Sequence, residues 1–138
     1  MTPRHEHPNQ PTNPTSLIAL DILGQHYDVI WAPATLLPDR FGHSDPENQE
    51  IVLRSNLRGM AALDTLLHEC IHAGSHITGV EISEPQTHIL GAFLACLFKN
   101  NPDLLPYIAE RISEEQAKNY QQVSRTASLE LASNRKGK

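Results

Sequence analysis

Apolar and polar positions change rhythm several times along this chain, and each change marks an expected element. Leu17 to Leu23 (LIALDIL) is a branched apolar run, and beyond Gly24-Gln25 the residues Tyr27, Val29 and Trp31 alternate with Asp28 and Ile30. Such runs, separated by a turn signal, predict two antiparallel strands. Pro33, Pro38, Gly42 and Pro46 then punctuate a loop, and Glu50 to Arg54 (EIVLR) predicts a short third strand with Ile51 and Leu53 on one face.

From Asn56 onward the period lengthens. Met60, Leu63, Leu67, Cys70 or Ile71, and Gly74 recur at three- and four-residue steps, which predicts a helix from about 57 to 77 with Asn56 as N-cap. Gly79 follows as the residue that tolerates the left-handed conformation at a helix end. Ser83, Pro85 and Gln86 read as an N-cap, a first-turn proline and a capping-box partner. The nearly unbroken apolar run Ile89 to Phe98 makes this second helix the expected most buried one, and Trp31, Phe93 and Phe98 are expected in the core. Asn101-Pro102 stops it, and Asp103 is expected to cap a third helix carrying Leu104, Leu105, Ile108 and Ile112. Beyond Ser113 only a sparse series remains, Tyr120, Val123, Ala127 and Leu131, compatible with an amphipathic helix or a solvated tail.

The expected fold is α+β: a small antiparallel or mixed three-stranded sheet packed on one helix, with two further helices. Residues 1–16 contain four prolines and no large apolar residue beyond Met1, so they are expected to form a flexible arm. The expected organisation is arm 1–16, domain 17–112 and a helical or disordered tail 113–138. The 138 residues suit one small domain. No run is long and apolar enough to span a bilayer, and the N-terminus lacks the apolar segment of a secretory signal, so no membrane and a cytoplasmic address are expected. A formal net charge of −5 argues against nucleic acid as a partner. Cys70 and Cys96 lie in apolar helical patterns and are expected to be reduced, buried thiols.

Histidine changes the picture. There are 8, of which His68, His72 and His76 follow one another at four-residue steps. His68-Glu69-Cys70-Ile71-His72 is an HExxH sequence inside a stretch whose periodicity independently says helix. Chance would place one in roughly 0.03 of chains of this composition. Histidines one helical turn apart share a face, so both imidazoles can reach one Zn²⁺, and Glu69 is the expected general base toward an attacking water. His76 stands about 12 Å along the axis from His68 and cannot share the ion.

A third ligand must come from elsewhere. Glu84, in the first turn of the second helix, is the favoured donor. A carboxylate there suits the positive helix end. Glu81, in the connection, and His88, one turn beyond Glu84, are the alternatives. His88 is favoured instead as a catalytic group, steadying a ligand or donating to the oxyanion, with Tyr27 and Tyr107 as other possible oxyanion donors. Asp64 and Thr65 precede His68 on the metal side and could orient an imidazole.

The sequence TLLHECIH, followed by a Ser-Glu-initiated helix and the Asn101-Pro102 stop, resembles small phage- and prophage-encoded zincins related to the ImmA/IrrE-type metallopeptidases. The resemblance covers about Ile18 to Ile112. It implies a minimal gluzincin-like fold and places the third ligand on Glu84. Thr87 and His88 stand where the fuller pattern has an alanine-asparagine pair. The expected function is a zinc metalloendopeptidase acting on a protein or peptide substrate, laid as an added strand along Glu50 to Arg54, the strand nearest in sequence to the metal helix. The alternative is a non-catalytic zinc-binding module of phage type.

Overall fold

The computed structural model describes residues 17–137; the expected N-terminal arm lies outside them. Four strands and three helices follow in the order β1 (Ala19–Ile22), β2 (Gln25–Ala32), β3 (Gly42–Asp45), β4 (Glu50–Arg54), α1 (Gly59–Thr78), α2 (Glu84–Asn100) and α3 (Leu104–Lys136), with a short 3-10 turn at Ala34–Leu36. The described residues divide into two compact units, the first ending at Cys96 and the second beginning at Leu97.

In the first unit the strands form one mixed sheet in the order β1-β2-β4-β3. β1 and β2 pair antiparallel around Leu23 and Gly24, both at positive φ, the signature of a tight hairpin turn. β2 runs parallel to β4, and β3 pairs antiparallel with β4. The sheet thus has one strand more than the hydrophobic pattern predicts. β3 is Gly-His-Ser-Asp, with no branched apolar residue, and backbone pairing with β4 rather than side-chain propensity makes it a strand. Its turn is held by Asp45, whose Oδ1 accepts the N–H groups of Glu47 and Asn48, each at 3.1 Å, while Oδ2 accepts Asn48 Nδ2 at 2.8 Å. The Asn48 side-chain bond, first among these, keeps the Asp45 carboxyl below its ordinary value.

This topology moves β4 to the interior of the sheet, so Glu50 to Arg54 has no free edge for an added peptide. The exposed edges belong to β1 and β3.

The core lies where one sheet face meets α1: Tyr27 and Val29 from β2, Ile51 and Leu53 from β4 and Ala73 from α1, flanked by Leu66 and Ile77. Burying a side chain such as Ile51 or Leu53 stabilises by roughly 1.5–3 kcal/mol. Tyr27 is fully buried in this core, out of reach of a substrate, which removes it as an oxyanion donor; among the described residues its hydroxyl has no hydrogen-bond partner. Trp31 is half-buried and donates Nε1–H to the Leu17 carbonyl at 3.2 Å.

The core-facing stripe of α1 runs through Leu66, Ala73 and Ile77, rotated from the expected Met60, Leu63, Leu67 and Gly74, which are half-buried. The helix is apolar over more than one face, and the small Ala73 marks the side that approaches the sheet. Arg58, not Asn56, occupies the N-cap position, without a side-chain cap bond, and Gly79 ends the helix at φ 70° as expected.

α2 opens with the expected reciprocal cap: Gln86 N–H donates to Ser83 Oγ at 3.3 Å and Ser83 N–H to Gln86 Oε1 at 3.0 Å. Its apolar run is not what it buries. Its buried residues are Thr87, Gly91 and Ala95, whereas Ile89, Leu90 and Phe93 are exposed. Small side chains allow the close approach: a Cβ on Gly91 would lie 3.4 Å from Asp64 Oδ1 and 3.5 Å from the His68 backbone nitrogen. Cys96 is exposed and Cys70 half-buried, correcting the expectation of two buried thiols; burial pushes the Cys70 thiol up to about 11.

In the second unit, α3 continues past Ser113 without a break and buries none of its side chains. Asp103 sits at its N-cap position but makes no side-chain cap bond. Among the described residues, no helix is long and apolar enough to cross a membrane.

Candidate metal centre

The His68 and His72 imidazoles project from adjacent turns of α1, and their Nε2 atoms lie 3.1 Å apart. Glu84, at the start of α2, closes the group: Oε1 is 2.7 Å from His72 Nε2, and Oε2 is 3.2 Å from His68 Nε2. Donors held at about 2.0–2.1 Å around a tetrahedral ion would be roughly 3.3–3.4 Å apart. These separations, and the two-imidazole, one-carboxylate chemistry, fit a zinc site that keeps a fourth position open. Among the described residues, His68, His72 and Glu84 form the one group of three such side chains that could hold a metal. Neither Glu81 nor His76 belongs to it.

The local sequence explains the convergence. The i, i+4 spacing stacks the two imidazoles, and Gly79 turns the chain so that the Ser83-capped helix begins beside them. At that start Glu84 is among the first residues of the helix, where free N–H groups favour a carboxylate.

Glu69 is 7% exposed, whereas the Glu84 side chain is 70% exposed. Burial raises the Glu69 carboxyl above its ordinary value; the charge of His72 opposes this, that of Glu84 adds to it, and Arg40 and the Ser44 backbone N–H pull it down. The side chain runs along β3: a Cβ on Gly42 would lie 2.8 Å from Thr65 Cγ2 and 3.0 Å from Glu69 Cγ. Gly42 therefore serves not as loop punctuation but as the position where a strand passes directly over the HExxH helix.

A cleft of about 730 Å³ opens over this group, lined by Arg40 and β3 together with Asp64, Glu84 and His88 from the helices. The His88 ring lies 6.4 Å from that of His68, edge-on at 70°, outside the three-donor group but on the same cleft. Thr65 spends its hydroxyl on the Ala61 carbonyl at 2.7 Å rather than on an imidazole. Arg40, Gly42 and Ser44 were not legible as site residues. The turn sequence Asp45-Pro46-Glu47-Asn48 before EIVLR was the signal that could have revealed the hairpin and its inward-facing strand.

Two glycine replacements separate the tight contact from the loose one. Gly42→Ala must displace Glu69, Thr65 or β3 and is expected to cost about 1–3 kcal/mol. Gly91→Ala meets only ordinary contacts and removes a helical glycine, so it is expected to be neutral or stabilising by up to about 1 kcal/mol. Thermal denaturation measures both, and equal melting temperatures for the two variants would refute the close approach at Gly42.

Comparison with protein-family models, curated proteins and solved structures finds no match. The chemistry of the site therefore rests on the motif and its geometry.

Proposed function

We propose that this chain is a zinc-dependent endopeptidase of the zincin kind, related to the small phage and prophage ImmA/IrrE-type enzymes. The observation that supports this most is the placement of Glu69: a buried carboxylate beside three converging donors, on the floor of an open cleft. A metal centre kept only for stability has no use for such a group.

Zn²⁺ in this cradle would act as a Lewis acid, bringing the pKa of water to around 7 and polarising a peptide carbonyl. Glu69 takes the proton of the attacking water on a carboxylate oxygen and passes it to the departing amide nitrogen. Its burial raises its proton affinity, which suits a group that must accept and then release a proton. His88, on the cleft wall, is the candidate donor to the charge that develops on the carbonyl oxygen.

The substrate strand belongs on β3 rather than β4. Arg54 N–H donates to the Phe41 carbonyl at 2.9 Å, so Phe41 faces β4, and by antiparallel alternation Gly42 turns its N–H and carbonyl, and Ser44 its carbonyl, outward along the cleft, the Ser44 N–H being directed to Glu69. An extended peptide can pair with those groups, its scissile bond brought over Glu69. A reducing, cytoplasmic setting suits the two free thiols.

The test is incubation of the zinc-loaded protein with unfolded polypeptides and mass spectrometry of the products. New termini that vanish with a chelator and return with zinc are expected. Stoichiometric zinc without any cleavage would sink the enzymatic reading in favour of a non-catalytic zinc module.

A further inference from the structure

We infer that Arg40 is a specificity residue that receives a substrate carboxylate on the β3 side of the cleft; this rests on the peptidase reading above. Arg40 is the one permanently cationic side chain among the residues lining the cleft. The carboxyl side chains there, Asp64, Glu69 and Glu84, make no ion pair with it. Among the described residues its guanidinium has a single hydrogen-bond partner, Nη1 to His43 Nδ1 at 3.4 Å, which leaves most of its five N–H donors without a described partner.

The other described arginines of this unit, Arg54 and Arg58, are spent differently. Arg58 donates to the carbonyls of Ser55 and Leu57. Arg54 donates from Nε and Nη2 to the Leu37 carbonyl at 2.9 and 2.6 Å and from Nη2 to the Pro38 carbonyl at 2.9 Å, and it lies over the Phe41 ring. Those bonds, with Arg54 N–H on the Phe41 carbonyl, fix the chain on both sides of residue 40. Arg40 is thus a long cation with free donors, mounted on a tethered segment at the entry to the edge strand. It lines the same cleft as Glu69 and the three converging donors.

A guanidinium presents a planar fork that matches a carboxylate in bidentate geometry. The ligand chemistry is therefore a carboxylate, borne either by an aspartate or glutamate side chain near the scissile bond or by the C-terminus of the substrate. A net charge of −5 for the whole chain makes a general attraction of acidic peptides implausible as the cause of such a preference.

The test uses zinc-loaded Glu69→Gln protein, so that binding is read apart from turnover. Fluorescent peptides carry one Asp or Glu at successive positions, with Asn- or Gln-matched controls, each in amidated and free-acid form, and affinity is read by anisotropy. The expected result is about tenfold tighter binding of the acidic member at one position. Adding Arg40→Gln should abolish that difference, Arg40→Lys retain part of it, and Arg40→Glu reverse it in favour of Lys-bearing peptides. A preference confined to free-acid forms would support the inference with the terminal carboxylate as ligand, and one that survives amidation with the side-chain carboxylate. Binding without acidic preference, or a preference untouched by Arg40→Glu, would overturn the inference alone. Absence of binding by every peptide would overturn the inference and the peptidase reading together.

Discussion

Glu69→Gln protein is expected to retain its zinc and its fold while losing cleavage by about 10²–10⁴-fold, the usual contribution of a positioned general base. The amide keeps the shape and burial of the side chain, so the contact with Gly42 and the packing under β3 should survive. What disappears is the ability to accept a proton. The residues placed to hold a metal are others, so zinc content measured by atomic emission should equal that of the wild type. Retained zinc with unchanged cleavage would remove Glu69 from the mechanism. Lost zinc would mean that this carboxylate belongs to the metal group.

The second large effect concerns the ligand that periodicity alone left open. Glu84→Ala is expected to weaken zinc binding by more than about 100-fold, since groups that merely support a ligand already cost 10–100-fold when removed. Glu81→Ala should leave affinity unchanged, because Glu81 lies outside the three-donor group. The same contrast appears in stability. Zinc at about 100 times its dissociation constant stabilises a folded site by about 2.7 kcal/mol, a rise in melting temperature on the order of 10 °C. That rise should be present in the wild type and Glu81→Ala and absent in Glu84→Ala and His72→Ala. Equal rises in both glutamate variants would refute the assignment.

The two carboxylates sit in opposite surroundings. Glu84 is largely exposed at a helix start, with one oxygen beside each imidazole. Glu69 is enclosed between α1 and β3, where its position is dictated by a glycine that cannot grow a side chain without a clash. Arg54 extends the same logic to the cleft rim by pinning the loop that carries Arg40.

Local sequence alone determined the paired imidazoles, the Gly79 turn, the Ser83-Gln86 cap and the β1-β2 hairpin, because each depends on spacing and side chains within a few residues. It also brought Glu84 forward as a donor, since one turn and one cap set where the next helix starts. Tertiary structure alone decided that GHSD is a strand, that β4 lies inside the sheet, and that α2 packs through Thr87, Gly91 and Ala95 while Ile89 and Phe93 remain exposed. Those features depend on which backbones approach one another. Close approach is granted by small residues and by pairing with distant strands, neither of which leaves a hydrophobic period in the chain.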